Sequence, residues 1–299
     1  SRGYRQVLVT VTPQAAQNLT SINLQQRHSR FASGFRNTAW LDITLNGANF
    51  TSLTIGGDSL ALLAELERVN IQTVGTLTSV GSLFRDCRSL QSVTLFNTAS
   101  VTNFSSMYFG CLSAQTFPTL NTASGDNLSA MYFNCASAQT FPTLNTSVGT
   151  IFSYMYFGCQ AARAFPPIDT SLGTTFEFMY LNCLSAQTFP TLNTSVGTNF
   201  SHMYSGCQAA QTFPTHNTSA GTDFTNMYQN CISGASVGIT GSRFAISFAS
   251  MKLSRQAIAA IFTALGTASG AQTVTVTGNH GVPDLSLIHI SEPTRLRRI

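Results

Sequence analysis

A solenoid built from short α/β turns is the fold class this sequence predicts, and three observations predict it. All seven cysteines, Cys87, Cys111, Cys135, Cys159, Cys183, Cys207 and Cys231, follow one another at 24-residue intervals. All seven methionines do the same: Met107, Met131, Met155, Met179, Met203, Met227 and Met251. Two further columns, Thr98 to Thr218 and Asn97 to Asn217 (with Asp169 in one turn), share the period. A fixed period of about 20–29 residues marks a stack in which each turn is one short supersecondary unit. The expected architecture is a leucine-rich-repeat-like, right-handed stack over residues 76–232. A β-rich N-terminal cap over 1–75 and a β-α-β cap over 233–284 flank it.

The N-terminal cap rests on alternating runs. Gln6–Thr12, Trp40–Leu45 and Phe50–Ile55 read as strands at period two. Within a repeat, Phe104, Met107, Tyr108 and Cys111 sit at i, i+3, i+4 and i+7, which predicts a short amphipathic helix. Thr102 or Asn103 would cap its start, and Gly110 or its equivalent Asn134 would suit its exit. Gln115–Leu120 reads as a short strand and Asn121-Thr122 as the turn back. Prolines 118, 142, 166, 190 and 214 each remove one ladder donor, so these strands must be very short or begin at the proline. Val93-Thr94 lacks the proline and should pair more regularly. The residue before each cysteine alternates between Gly110, Gly158, Gly206 and Asn134, Asn182, Asn230, as if a two-turn block had been duplicated. Near the far end, Leu253–Leu265 reads as a helix with Ser254 as N-cap and Gly266 after it, and Gln272–Thr277 as a strand. Such a piece would cover the last open edge.

Composition narrows the function classes. The chain has 299 residues, 43% of them hydrophobic, enough for a core, yet only 9% charged. Ser, Thr, Asn and Gln fill the gap. No run approaches the roughly 18 apolar residues of a membrane span. The basic residues are scattered and the formal charge is only +4, so neither membrane insertion nor nucleic acid is expected.

Leu83-Phe-Arg-Asp-Cys-Arg-Ser-Leu90, followed by Val93, Leu95 and Asn97-Thr-Ala-Ser-Val-Thr-Asn103, resembles the BspA-type leucine-rich-repeat surface proteins. The resemblance covers about half the chain. Later turns drift from it: Ala114, Ala138 and Ala162 replace the leucine, and Phe-Pro replaces the strand centre. It implies display on a bacterial surface, or on a phage tail or virion, and brings no catalytic residues.

The chemistry of rare residues points the same way. One cysteine per turn gives a line of thiols without the convergent pairs that zinc needs. A catalytic thiolate needs a paired His or a helix N-terminus. The expected role is structural: buried, reduced small hydrophobes, with the methionines beside them. His28, His202, His216, His280 and His289 share no period, and Gly56-Gly57-Asp58 leads into no phosphate-binding helix. Sequons at Asn127, Asn145, Asn193, Asn199 and Asn217 follow from Ser/Thr-rich composition. The expectation is a protein that is not an enzyme and takes no cofactor or metal.

Binding is sought where the repeat leaves columns free. The residue before each methionine reads Ser106, Ala130, Tyr154, Phe178, His202, Asn226. The second residue after it reads Phe109, Phe133, Phe157, Leu181, Ser205, Gln229. Exposed aromatics in register would make a stripe suited to stacking on sugars or to apolar anchoring. The candidate ligand-binding residues are Tyr154, Phe178, His202, Phe109, Phe133 and Phe157. The function expected is adhesion to a host or cell-surface glycan or protein, outside the cell or on a virion. The competing expectation is a phage tail-fibre or virion subunit whose repeats act mainly as a spacer.

Both ends are set aside. Residues 285–299 resemble a translated sequencing adapter rather than the repeat-like text before them. Without them the formal charge falls to +2, because three arginines and Glu292 leave. Position 1 is Ser, so the start is expected to be incomplete and carries no information on destination.

Overall fold

The computed structural model describes residues 21–24, 40–46, 50–56, 65–73, 77–268 and 270–282. Gln6–Thr12, His28, His289 and the segment 285–299 lie outside them. What is described is a β-solenoid of about eight turns with little helix. The solenoid expectation holds; the alternation of strand and helix in every turn does not.

All strand pairing is parallel, as it must be when each turn lays its strand beside the same strand of the turn before. β1 (Ser21–Asn23) pairs with β3 (Ser52–Thr54). β2 (Asp42–Asn46), β4 (Arg68–Thr73) and β5 (Ser92–Thr94) form one three-stranded sheet. Its register steps from Asp42 to Arg68 to Ser92, so the ladder is already running within residues assigned from the sequence to a cap. The regular pairing expected at Val93-Thr94 is present in β5.

From Ser79 a file of isolated parallel bridges runs through Asn103, Asn127, Ile151, Thr175, Asn199 and Asp223, each 24 residues on, alongside further backbone bonds between the turns. The proline segments form no regular strand until β6 (Thr212–Asn217), whose register with β7 (Ser236–Thr240) slips between Thr212 and Thr215, at Pro214.

The expected helix at Phe104–Cys111 is replaced by a run of tight turns. Met107, Phe109 and Cys111 donate to the carbonyls three residues back, at 3.1–3.2 Å. The alternate amides, Phe104, Ser106, Tyr108 and Gly110, donate to Asn127, Ser129, Met131 and Phe133 of the next turn, at 2.8–2.9 Å. A helix would keep every amide to itself and strand the facing carbonyls of its neighbour in the interior. Stacking gives those carbonyls partners, and the conformation yields to it. Left-handed backbone at Ser106 (φ 55°) and Gly110 (φ 73°) makes the alternation possible. The apolar stripe is nevertheless buried as expected: Phe104, Met107, Tyr108 and Cys111 are all inaccessible.

The core is largely aromatic. Tyr108, Tyr132, Tyr156, Tyr180, Tyr204 and Tyr228 stack along the axis with ring centroids 5.5–5.7 Å apart. Phe117, Phe141, Phe165, Phe189 and Phe213 make a parallel file at 5.6–5.8 Å, tilted against the tyrosines. Each ring pair adds about 0.5–1.5 kcal/mol beyond its buried area.

At the C-terminal end, α1 (Arg255–Ala264) is the only α-helix among the described residues. Ser254 caps it, accepting from the Ala257 amide at 3.2 Å, and Ile258 and Ile261 face the core. β8 (Ile246–Ser247) precedes it and β9 (Val274–Thr275) follows, paired in parallel, giving the β-α-β order read from the sequence.

Candidate functional site

The two variable columns come together as one surface stripe. Phe109, Phe133 and Phe157 stack at 4.2 and 4.3 Å, within 9° of parallel. Tyr154, Phe178 and His202 stack at 4.6 Å, also within 9°. The files meet where Tyr154 lies 6.2 Å from Phe133 and 6.1 Å from Phe157. Arg85 closes one end with its guanidinium 4.2 Å over Phe109. At the other, Asn226 Nδ2 lies 3.4 Å from His202 Nε2. All six rings are half-buried.

The stacking corrects one expectation. Inner rings such as Phe133 and Phe178 have a neighbouring ring on each face, so they present edges to solvent and offer no free face to a sugar. The register is as expected; the presentation is not.

A second feature of this stripe was invisible in the sequence. Tyr154 (φ 60°), Phe178 (φ 56°) and His202 (φ 55°) all hold left-handed backbone. That conformation costs a non-glycine residue roughly 1–2 kcal/mol. Ser106, Ala130 and Asn226 fill the same column in other turns with smaller side chains. The backbone cost is thus common to every turn of the column; in these three turns the ring stack adds about 0.5–1.5 kcal/mol per pair in return. Beside them Asn199 Nδ2 donates to Glu177 Oε2 at 2.8 Å, and partial burial, helped by the Glu177 charge, raises the Tyr154 hydroxyl above its ordinary range.

The sequence-predicted core residues lie elsewhere. Cys87, Cys111, Cys135, Cys159, Cys183, Cys207 and Cys231 are all buried, and the last six are free thiols. From Cys111 on, each Sγ donates to a carbonyl 27 residues back, Cys135 to Tyr108 and Cys159 to Tyr132 among them, at 3.1–3.2 Å. Burial drives the six thiols up, and Cys231 to about 12. They are held as hydrogen-bond donors. Met107, Met131, Met155, Met179, Met203 and Met227 are fully buried beside them.

Other repeated polar residues are spent on the backbone. Buried Thr98, Thr122, Thr146, Thr170, Thr194 and Thr218 donate to carbonyls of the following turn at 2.6–2.9 Å. The sequons are turns: Asn145, Asn193 and Asn217 Oδ1 accept both the amide and the hydroxyl of the serine two residues on. Asn127 and Asn199 accept the corresponding amides.

One pair escaped the sequence reading. Tyr204 Oη and His216 Nε2 lie 2.8 Å apart, both fully buried. The available signal was positional: His216 stands in the column of Leu120, Leu144, Ile168 and Leu192.

The family model described as "Mycoplasma protein of unknown function, DUF285" matches residues 78–165 and 150–236, together more than half of the chain. The chain belongs to this family. The DUF285 matches span the bridged turns, the stripe and the Tyr204–His216 pair. No curated protein matches the chain. Among the described residues no helix is long and apolar enough to cross a membrane.

Proposed function

We propose that this protein is a non-enzymatic binding module displayed on a surface, which holds a partner against the aromatic stripe of its solenoid. The observation that carries the reading is the placing of Tyr154, Phe178 and His202 at left-handed positions where small residues serve in other turns. The left-handed backbone recurs in every turn of this column, from Ser82 to Ser250, so what sets these three turns apart is the large aromatic ring each carries at the surface. Membership of a repeat family and the resemblance to BspA-type surface proteins support the setting. The edges of stacked rings suit apolar side chains of a protein better than the faces of pyranose rings, so a protein partner is favoured over a glycan.

The test is the triple variant Tyr154→Ala, Phe157→Ala, Phe178→Ala. Ala130 already occupies the column of Tyr154 and Phe178, and Ser205 that of Phe157, so the variant is expected to fold. Binding to intact host cells, to protease-treated cells and to immobilised glycans is compared with the unaltered chain. Loss of cell binding that protease treatment mimics supports a protein-binding stripe. Unchanged cell binding by a folded variant overturns it and favours a spacer.

A further inference from the structure

We propose that Tyr204 and His216 form a proton-coupled one-electron redox site inside the solenoid, able to reduce a radical or photogenerated one-electron oxidant. The site is distinct from the surface stripe and does not depend on the binding role.

Six tyrosines occupy the same place in six successive turns, and only one has a base. The hydroxyls of Tyr108, Tyr132, Tyr156, Tyr180 and Tyr228 are buried with no hydrogen-bond partner among the described residues. Tyr204 alone meets a nitrogen, His216 Nε2 at 2.8 Å. A phenol that loses an electron becomes a strong acid. Unless the proton has somewhere to go, the electron is not readily given up.

The tautomer follows from counting partners. If the Tyr204 hydroxyl donates to Nε2, the proton rests on Nδ1, which has no partner among the described residues. If Nε2 donated instead, both the hydroxyl proton and the Nδ1 lone pair would be left unpaired. The first arrangement satisfies more groups. Burial lowers His216 to about 4, so the imidazole is neutral and its Nε2 lone pair is free to accept.

The step balances as follows. One electron leaves the phenol for the oxidant, which is reduced by one electron. The Tyr204 O–H bond breaks as an N–H bond forms on His216 Nε2, leaving a neutral tyrosyl radical hydrogen-bonded to an imidazolium. Tyr180 and Tyr228, stacked on Tyr204 at 5.6 and 5.7 Å, can pass an electron but cannot release a proton, so the vacancy settles on Tyr204.

The experiment uses the full chain carrying Tyr4→Phe and Tyr154→Phe, which leaves only the stacked tyrosines. Azidyl radicals are generated by pulse radiolysis, and the tyrosyl radical is followed by its absorption and its paramagnetic resonance spectrum. A radical on Tyr204 is expected, abolished by Tyr204→Phe. Replacing the base by His216→Leu, the residue native to that column, is expected to slow radical formation by about 10²-fold, the low end of a positioned base's contribution. Leu192→His, placed beside the Tyr180 hydroxyl in the His216→Leu background, is expected to restore the radical, now on Tyr180. Equal rates with and without His216, or a radical on an unpaired tyrosine in the unaltered file, would overturn the proposal. Circular dichroism confirms that each variant is folded before it is scored.

Discussion

Asn134 leans over Gly158 of the following turn, its Oδ1 3.0 Å from the point where a β-carbon on Gly158 would stand. Both residues hold left-handed backbone, Asn134 at φ 55° and Gly158 at φ 69°. The column thus takes the two residue types that tolerate this conformation best. It alternates them because an Asn side chain covers the next residue along. The same contact recurs between Asn182 and Gly206. Gly158→Ala is expected to cost about 1–2 kcal/mol, mostly from the backbone. Its cost should shrink in an Asn134→Ala background, where the crowding oxygen is gone. Urea denaturation of the four chains of this cycle measures both terms; strict additivity would show that the oxygen plays no part.

His216 sets an acid limit on the fold. Burial holds it at about 4, against 6.5 for an exposed histidine. Between those values the unfolded chain binds a proton that the folded chain does not, so stability falls as pH drops from about 6.5 to 4 and levels off below. The difference of about 2.5 pH units amounts to about 3 kcal/mol. His216→Leu should remove this acid-sensitive component while leaving the melting temperature at pH 7.5 within a few degrees. The measurement is melting temperature against pH for both chains. Parallel curves between pH 7 and 4 would mean that His216 is not the group responsible.

How far the sequence could be read divides along one physical line. Columns of identical residues reported what is buried, because burial depends on side-chain periodicity. Phe104, Met107, Tyr108 and Cys111 were legible for that reason. The same spacing misreported the backbone, since a turn that faces inward every three or four residues mimics a helix while sending half its amides to a neighbour. The stripe was legible as two columns, but its ring stacking and left-handed backbone depend on the axial rise, which no single turn encodes. His216 has no periodic counterpart, so its only signal in the sequence is that it breaks the apolar column of Leu120, Leu144, Ile168 and Leu192.

The threonine file predicts how stability is distributed. Thr146 Oγ1 donates to the Asp169 carbonyl at 2.6 Å and Thr194 Oγ1 to the Asn217 carbonyl at 2.9 Å. Valine keeps the shape and loses the bond, so Thr146→Val and Thr194→Val should each cost about 1 kcal/mol. In a stack where each turn touches only its neighbours, two such changes two turns apart should add. Chemical denaturation of the single and double variants tests this. A coupling comparable to either single effect would mean that the turns are not energetically local.

The thiol file predicts an alkaline limit much steeper than the acid one. Cys111, Cys135, Cys159, Cys183, Cys207 and Cys231 are all raised by burial above the ordinary thiol range, and each holds its proton in a bond to a carbonyl of the preceding turn. An unfolded cysteine releases its proton near pH 8.5. Above that value the folded chain binds more protons than the unfolded one, so stability is intact at lower pH and falls as pH rises. Each thiol then contributes about 1.4 kcal/mol of loss per pH unit, and six acting together outrun a typical stability of about 5–15 kcal/mol within one or two units. Circular dichroism should therefore show a sharp unfolding between about pH 9.5 and 10.5. Because alkylation requires the thiolate, iodoacetamide labelling should stay low up to that transition and then reach every cysteine at once. Cys159→Ala should make the pH dependence shallower by one proton while costing stability at neutral pH, where the Tyr132 carbonyl keeps the Cys135 amide but loses the thiol, the second of its two donors. Gradual labelling from pH 7.5 to 9 with the fold intact would show that the thiols are reached in the native state, and the core assignment of the cysteine column would fail.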